Sequence, residues 1–360
     1  MMSRTGRRED NARRPTVTDV GALAGVSVAT VSRALNGVES VDPVLRARVI
    51  DAARELGYRP DGLARGLRRK VTTVFGMLIP DIENPFFTSM VRGAEDAAQR
   101  GDHLLMLCNT DENVDKEKAY LEGLLDQRIA GLLLAVADEE HSDVSRFIEW
   151  GTPVVAVDRR CHGNPIDAVL VDNVAGSRQA IEWLIRHNYS RIATIAGPER
   201  TTTGLERLLG YQQALVAAGI PLQNDLVVHG DFHVDEGHRA ASVLLDDVRP
   251  LPEAIFVANN QMTIGAIAAI TERGLDVPGD VAVACFDRLP SGLSWCDSIV
   301  TIEQPAYDMG RVAVEMLLRR IAGDDFPVSE VRLQPELHEP LRTASTSAVR
   351  SRTRRQTAAT

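Results

Sequence analysis

The sequence has no apolar run long enough to cross a membrane, so we expect no membrane-spanning segment. Residues 1–15 are polar and basic and lack an apolar core, which predicts a cytoplasmic protein without a secretory signal. Cysteine is scarce, and the four residues lack the spacing of a metal site: Cys108, Cys161, Cys285 and Cys296. We therefore expect reduced thiols that pack in the interior.

Signatures of common enzymes are also missing. We find no Gly-x-Ser-x-Gly elbow, no phosphate-binding loop and no clustered His or Cys with metal-ligand spacing. His229, His233 and His238 are close in sequence, but their spacing is that of a loop and helix start, which favours solvated side chains. We predict no enzymatic activity and no cofactor, and turnover of a candidate ligand would revive the enzyme alternative.

The net charge of -10 is unevenly distributed. Residues 1–70 hold 14 Lys/Arg and 8 Asp/Glu, a net of +6, and residues 345–360 hold four Arg and no acid. The rest of the chain has a net of -20. A basic head on an acidic body suits a protein that binds a polyanion at one end, although basic termini can also be mere soluble tails.

From residue 71 onward, short apolar runs alternate with longer amphipathic stretches, which predicts parallel sheets covered by helices. The runs predict ten strands, enough for two sheets: 74–79, 103–108, 131–136, 153–157, 168–171, 192–196, 226–228, 254–258, 281–286 and 299–302. The clearest predicted helices are 86–100, 176–187, 206–218, 261–273 and 307–321. We expect the chain to cross between two lobes near 170–173 and to return near 302–305.

The stretch 16–58 has the pattern of a helix-turn-helix. Val20, Leu23 and Ala24 mark one face of a first helix, and Gly25 stands where a left-handed turn residue is needed. A second helix, capped by Ser27, buries Val31, Ala34 and Leu35. A third helix begins at Asp42-Pro43, buries Leu45, Val49, Ala53 and Leu56, and ends at Gly57. A plain three-helix bundle is the alternative.

Several motifs here closely resemble the head of the LacI family of bacterial regulators. They are Thr-Asp-Val at 18–20, Ala-Gly-Val-Ser-Val-Ala-Thr-Val-Ser-Arg at 24–33, Leu-Asn at 35–36 and Glu-Leu-Gly-Tyr-Arg-Pro at 55–60. The resemblance continues through the body to about Arg342. It implies an all-α helix-turn-helix head joined to an α/β body of two doubly wound parallel-sheet lobes, the architecture of periplasmic binding proteins.

The resemblance assigns DNA-binding roles to individual residues. Val28, Ala29 and Arg33 occupy base-reading positions, where Arg33 suits a bidentate guanine contact and the other two suit a thymine methyl. Phosphate-positioning roles fall on Thr16, Ser27, Thr30, Ser32, Asn36 and Tyr58. In the family a hinge helix forms on DNA and pushes a leucine into the minor groove. Leu67 matches that leucine, beside Leu63 and Ala64.

The sequence departs from the family in this hinge. Gly62 and Gly66 each cost a helix about 1 kcal/mol relative to alanine, so a flexible basic linker is the alternative. The resulting boundaries are a disordered arm at 1–15, the DNA-binding domain at 16–60 and the hinge at 61–70. The N-terminal lobe takes 71–170 and 303–328, the C-terminal lobe takes 171–302 and 329–344, and a disordered tail without heptads takes 345–360.

Polar and aromatic residues follow the predicted strands of both lobes, where parallel sheets place ligand sites. Each alone is explained by a helix cap or core packing. Together they suit a hydroxyl-rich ligand, and they match the sugar-binding relatives of the family: Asn84, Phe86, Phe87, Asp158, Arg159, Arg207, Phe232, Asn259, Asp287 and Gln304. Arg288 stands where the family usually has Asp, which leaves a sugar acid or sugar phosphate as the alternative ligand.

The resemblance therefore implies a homodimeric repressor of carbohydrate-use genes. It would bind a pseudo-palindromic double-stranded DNA operator and leave it when a sugar-like effector binds between the lobes. Corepression and activation remain alternatives. A secreted solute-binding protein shares the two-lobed body, but the basic head and the missing signal argue against it.

Overall fold

The computed structural model describes residues 15–35, 41–58, 72–290, 292 and 295–341. The chain divides into two compact units, Met1–Thr72 and Thr73–Thr360. The predicted arm up to residue 14, Asn36, the hinge 61–70 with Leu63, Ala64 and Leu67, and the tail 345–360 lie outside the described residues. Within the described ranges, no helix is long and apolar enough to span a membrane.

The first unit contains three helices in its described part: α1 (Val17–Ala24), α2 (Val28–Leu35) and α3 (Pro43–Glu55). Gly25 ends α1 with φ +65°, and the Asp42 carboxylate accepts from the Val44 and Leu45 amides at the start of α3, both as predicted. The Arg48 guanidinium donates from Nε to the Ala24 carbonyl at 3.1 Å, which ties α3 to the end of α1.

One predicted core position of this unit is wrong. Leu23 is 47% exposed, whereas Val20, Gly21 and Ala24 are buried. Gly21 takes the packing position because the turn before α2 runs close to it. A Cβ on Gly21 would lie 3.0 Å from the Val26 carbonyl oxygen. The helical face is therefore rotated by about one position from the one that the apolar residues alone indicate.

The second unit contains twelve strands in its described part. The first lobe holds β1 (Val74–Ile79), β2 (Leu104–Asn109), β3 (Gly131–Leu134), β4 (Val154–Val157), β5 (Asp167–Val171) and β11 (Glu330–Leu333). The second lobe holds β6 (Ile192–Ala196), β7 (Val227–His229), β8 (Ala254–Val257), β9 (Ala282–Phe286), β10 (Val300–Glu303) and β12 (Glu336–His338). All ten predicted strands are confirmed: 74–79 and 192–196 match at both ends, and no end of the other eight is shifted by more than two residues.

The helices alternate with these strands. They are α4 (Pro85–Arg100), α5 (Val114–Asp126), α6 (Ser145–Glu149), α7 (Asn173–Arg186), α8 (Thr202–Ala217), α9 (Val234–Asp246), α10 (Asn260–Glu272) and α11 (Ala306–Ile321). Short 3₁₀ turns lie at Asn224–Leu226 and Cys296–Ser298. Apolar side chains from helices on both sides of each sheet form the cores, which is why the central strands are apolar throughout.

The two sheets have matching topologies. The first runs β11-β5-β4-β3-β1-β2 and the second β12-β10-β9-β8-β6-β7. All neighbours are parallel except β10 and β12, in which Thr301 is opposite His338. The order of each sheet reverses beside its first strand, between β3 and β1 and between β8 and β6. Such reversals leave a crevice at the carboxyl ends of the strands.

The chain crosses between the lobes three times. It leaves the first sheet after Val171, returns after Glu303, and crosses again between Leu333 and Glu336. The strand β11 pairs with β5, with Val331 opposite Val169. Residues 330–333 therefore belong to the first lobe and not to the second lobe, to which we assigned 329–344. This strand is short and half exposed, so it lacks the apolar run by which the other strands are recognised.

Candidate functional site

The free face of α2 is the candidate nucleic-acid interface of the first unit. Val28 is 44% exposed, and Ala29 and Arg33 are also exposed, while Val31 and Ala34 on the opposite face are buried. This face is short, with one guanidinium between small apolar side chains. It can enter a major groove and present one bidentate donor to a base edge.

The predicted phosphate-positioning hydroxyls surround this helix. Ser27 Oγ accepts from the Thr30 amide at 3.2 Å and lies 2.9 Å from the Thr30 hydroxyl, so both side chains sit at the start of α2. Thr16 caps α1 in the same way and donates from Oγ1 to Asp19 at 2.6 Å. Ser32 and Tyr58 are partly exposed. At the start of α1 the Asp19 carboxylate already accepts from the Thr16 amide and hydroxyl, so the start of α2 is the better candidate for a phosphate oxygen.

A pocket of the second unit lies in the crevice between its lobes. In this arrangement of the lobes its cavity volume is about 40 Å³, well below the roughly 300–1,000 Å³ of typical small-molecule sites. All ten residues predicted to bind the ligand line it. Four further lining residues were missed: Asp81, Glu112, Thr203 and His233. His233 was expected to be a solvated loop residue, and its side chain is still 56% exposed.

Strand ends and helix starts deliver these side chains. Asn84 caps α4 by accepting from the Phe86 amide at 3.0 Å, and Asn259 caps α10 by accepting from the Met262 amide at 2.9 Å. Asp287 follows β9 directly, and Gln304 follows β10. Arg207 lies in the second turn of α8, where its buried face points to the crevice. The site is therefore built on the rigid ends of regular elements.

The Arg159 guanidinium is paired on one whole edge with a carboxylate. Its Nη1 and Nη2 donate to the two oxygens of Glu112, each at 2.7 Å, and Nη1 also donates to the Val136 carbonyl at 3.1 Å. Its Nε lies 3.6 Å from Asp158 Oδ2. The Arg159 side chain is only 3% exposed, so these contacts act with little solvent screening.

Arg207 is held by neutral groups and an aromatic ring. It donates from Nε to the Asn173 amide oxygen at 2.9 Å and from Nη1 to the Ala258 carbonyl at 2.7 Å. Its guanidinium carbon lies 3.9 Å from the Phe286 ring centroid, and its Nη1 lies 4.0 Å from Asp287 Oδ2. Burial lowers the pKa of this guanidinium, and the carboxylates of Asp287 and Asp158 oppose that change.

Two buried carboxyls of the pocket have raised pKa values. Burial raises the pKa of Asp158 to about 6, against the opposing charges of Arg159 and Arg207. Burial also raises the pKa of Asp287, although Arg207 and a hydrogen bond from Gln304 oppose it. Because burial makes the charged form of these carboxylates costly, hydrogen bonds that a ligand donates to them would be favourable.

The backbone of the pocket is strained at four positions. In the described part of the chain, eight non-glycine residues have a positive φ, and four of them line the pocket: Glu112, Asp158, Phe232 and Asp287. Side chains other than glycine avoid this region, so each position costs of order 1–3 kcal/mol. Half of these described residues therefore lie at one pocket, which supports it as the candidate site of this unit.

Two buried polar atoms in the pocket have no hydrogen-bond partner. They are the Arg159 Nε–H, a donor, and the Gln304 Oε1, an acceptor. An unsatisfied buried polar group costs about 1–3 kcal/mol. A hydroxyl group can accept from the one and donate to the other, so the pocket's unmet hydrogen bonds fit an alcohol.

Polar contacts also join the two lobes directly. Asn260 Nδ2 donates to Asn84 Oδ1 at 3.0 Å across the crevice. Glu139, after β3, accepts from the Thr202 amide at 2.5 Å and from the Thr202 hydroxyl, at the start of α8 in the other lobe. Glu139 is only 3% exposed, so this contact is shielded from water. The lobes are therefore held by contacts that opening would break.

Within the ranges that the structure describes, no group of three or more His, Cys, Asp or Glu side chains could hold a metal ion. Arg288, the basis for expecting an acidic ligand, does not line this pocket but lines an adjoining one that shares Phe86, Asp287 and Gln304 with it. Its side chain is 72% exposed and lies 3.4 Å from Glu303. The four cysteines are free thiols, two of them buried, as expected for packing residues.

Family comparisons cover both units. Residues 16–61 match the model of bacterial regulatory proteins of the lacI family. Residues 72–346 match the model of periplasmic binding proteins and the sugar binding domain of the LacI family. The ribose operon repressor of Halalkalibacterium halodurans is 35% identical over 306 residues, which cover 85% of this chain and 90% of that protein.

Solved structures are similar over nearly the whole chain. The complex of the transcriptional regulator CelR with cellobiose is 32% identical, with a TM-score of 0.69, over 91% of this chain and 99% of that one. The lac repressor dimer bound to operator and the anti-inducer ONPF is 26% identical, with a TM-score of 0.77, over 91% and 98%.

Proposed function

Because this chain belongs to the LacI family of bacterial regulatory proteins, we propose that it represses genes for carbohydrate use until a neutral sugar binds in its cleft. As a dimer, it would read a pseudo-palindromic operator with one α2 helix in each half-site. This function belongs in the cytoplasm, at the nucleoid when the protein is bound to its operator. Catalysis is not part of the proposal, since the relatives that it matches include repressors of the ribose operon.

The observation that carries the ligand class is the pair of unsatisfied atoms in the cleft. Arg159 Nε needs an acceptor and Gln304 Oε1 needs a donor, and a sugar hydroxyl is both at once. The aromatic rings of Phe86, Phe87 and Phe232 line the same cleft and can cover the apolar face of a sugar ring. The printed names of two relatives also include sugars: one is a ribose operon repressor and one is a regulator in complex with cellobiose.

The proposed mechanism is a shift between open and closed lobes. A sugar that bridges Asn84, Asp158 and Arg159 on one lobe to Arg207, Asn259 and Asp287 on the other binds only the closed form. It can shift the equilibrium by its differential affinity for the two forms and by no more. Closure then alters how the first lobes meet across the dimer, and with it the pairing of the hinges that carry Leu67.

The experiment uses the full chain and DNA that it selects from a random pool. Neutral sugars and polyols, D-ribose and cellobiose among them, are screened for an increase in melting temperature. Each hit is then added to a gel-shift titration on the selected DNA. We expect at least one neutral sugar to raise the melting temperature and to weaken DNA binding.

A matched pair of variants tests the site. Gln304→Met removes the unsatisfied acceptor and should abolish the response to the sugar while leaving DNA binding intact. Gln213→Met makes the same change on the exposed face of α8 and should leave the response unchanged. A panel in which no sugar stabilises the protein contradicts the ligand class. A sugar that tightens DNA binding contradicts induction and makes the ligand a corepressor.

A further inference from the structure

We propose that Glu112 is a specificity-determining residue of the cleft, which neutralises Arg159 and thereby excludes sugar acids and sugar phosphates in favour of neutral sugars. The inference rests on the proposed function and narrows its ligand class. Neither its place in the sequence nor the family resemblance assigned Glu112 a role.

The contact itself is complete and shielded. Both oxygens of the Glu112 carboxylate accept from the outer edge of the Arg159 guanidinium, each at 2.7 Å. A carboxylate or phosphate ligand would use that same edge for a bidentate contact. The side chains of Glu112 and Arg159 are 18% and 3% exposed, so water does not compete strongly for the pair. The edge is therefore occupied before any ligand arrives.

The backbone is shaped to make this contact. Asp111 and Glu112 follow β2 and both have a φ of +53°. Two consecutive non-glycine residues in the left-handed region are costly, and such strain persists only where the surrounding structure enforces it. The strained turn brings Glu112 to Arg159, which follows β4, 47 residues later in the chain. A side chain on an ordinary solvated loop would need no such geometry.

The charge balance of the cleft points the same way. Among the described residues that line it, four are carboxylic acids, Asp81, Glu112, Asp158 and Asp287, and two are arginines, Arg159 and Arg207. Arg159 lies beside two of the carboxylates, Glu112 and Asp158. A ligand anion would enter a buried site whose formal charge is already negative, and repulsion at low dielectric is strong there.

Without Glu112 this balance changes. The Glu112→Gln variant keeps the size of the side chain and one acceptor but removes a negative charge, so Arg159 becomes available to an anion. The effect of one charge at this distance is roughly tenfold or more in affinity. The matched control is Glu122→Gln, which removes the same charge from an exposed position on α5 in the same lobe.

The test measures full-length wild type and both variants by calorimetric titration with matched ligands. The pairs are D-ribose with D-ribose 5-phosphate, and D-glucose with D-gluconate. We expect wild type to prefer the neutral member of a pair. We expect Glu112→Gln to bind the anion at least tenfold more tightly than wild type does, and Glu122→Gln to behave as wild type.

The two possible failures are distinct. If no neutral sugar of the screening panel binds wild type, the proposed ligand class is wrong. If Glu112→Gln gains no affinity for either anion, or wild type binds an anion as tightly as its neutral partner, the inference is wrong. If Glu112→Gln fails to fold, Glu112→Asp takes its place, because it keeps the charge on a shorter side chain. We expect Glu112→Asp to prefer the neutral sugars as wild type does. A loss of that preference would contradict a role of Glu112 that is based on its charge.

Discussion

Burial raises the pKa of Asp158, the neighbouring Arg159 and Arg207 lower it, and the effect of burial is the larger one. The net result is a pKa of about 6 in the folded chain, compared with about 3.9 in an unfolded one. Between those values the folded state binds a proton that the unfolded state has released. Stability from this residue is therefore complete below pH 4 and is lost as the pH rises through 6.

The first prediction follows from that sign. The free energy of unfolding of wild type minus that of Asp158→Asn should fall by about 2 kcal/mol between pH 4 and pH 7.5, because asparagine does not titrate. Urea unfolding followed by circular dichroism measures both proteins at each pH. The exposed Asp115→Asn serves as control and should show no such fall. A difference that is flat, or that rises with pH, contradicts the raised pKa.

Arg33 is the residue on which base recognition depends most. It is the exposed guanidinium on the free face of α2, with Val28 and Ala29 beside it. We predict that Arg33→Ala weakens binding to the selected DNA by about 1–3 kcal/mol and relaxes the preference at one base pair. Arg33→Lys keeps the charge without the bidentate fork, so it should restore affinity for any sequence but not that preference. Gel-shift titrations in which wild type and Arg33→Ala bind one operator equally would remove Arg33 from this role.

At the scale of the elements, glycines set how closely helices pack. A Cβ on Gly93 of α4 would lie 1.9 Å from the Tyr307 carbonyl oxygen of α11, and one on Gly310 of α11 would lie 2.0 Å from the Met90 carbonyl oxygen. The pair α9 and α10 repeats this arrangement at Gly237 and Gly265. Each lobe therefore has a helix pair whose backbones touch, and only glycine fits at the crossing.

The third prediction concerns this crossing. Gly310→Ala should lower the free energy of unfolding by about 1–3 kcal/mol, because the new methyl group must push the two helices apart. Gly123→Ala is the control: Gly123 also lies in a helix, α5, but nothing stands within 4 Å of its added Cβ. Alanine there should be neutral or should stabilise by up to about 1 kcal/mol. Equal effects of the two substitutions in urea unfolding would contradict close packing as the cause.

At the scale of the whole molecule, the contact between Glu139 and Thr202 joins the two lobes of the second unit. Two hydrogen bonds to one buried carboxylate stabilise the closed arrangement. Hydrogen bonds to charged groups are worth about 1.5–3 kcal/mol. If the ligand binds only the closed form, its apparent affinity falls in proportion to the fraction of molecules that are closed.

The fourth prediction is that Glu139→Ala weakens binding of the effector sugar by about tenfold or more. Calorimetric titration with a sugar that stabilises wild type provides the measurement. Glu140→Ala alters the neighbouring, exposed carboxylate, which lies 2.7 Å from His162 in its own lobe, and should bind the sugar as wild type does. If both variants bind alike, the contact does not govern closure.

The periodicity of the sequence was sufficient for most of the fold. Apolar runs such as 192–196 coincide with strands because a strand buried on both faces must be apolar throughout. The edge strands β11 and β12 were not predicted, since an edge strand is partly exposed and needs no such run. Leu23 was misplaced for a related reason: its neighbour Gly21 packs closely, and glycine carries no apolar signal.

What the sequence alone determined is the class of the protein: a helix-turn-helix head, an α/β body, and ten residues that all line one cleft. Those residues stand at strand ends and helix starts, which local pattern locates well. Only the tertiary structure joined Glu112 to Arg159, placed the exposed Arg288 beside Glu303 in an adjoining pocket and linked Glu139 to Thr202. These contacts join segments up to 63 residues apart, and their geometry depends on how whole lobes pack, which no local pattern contains.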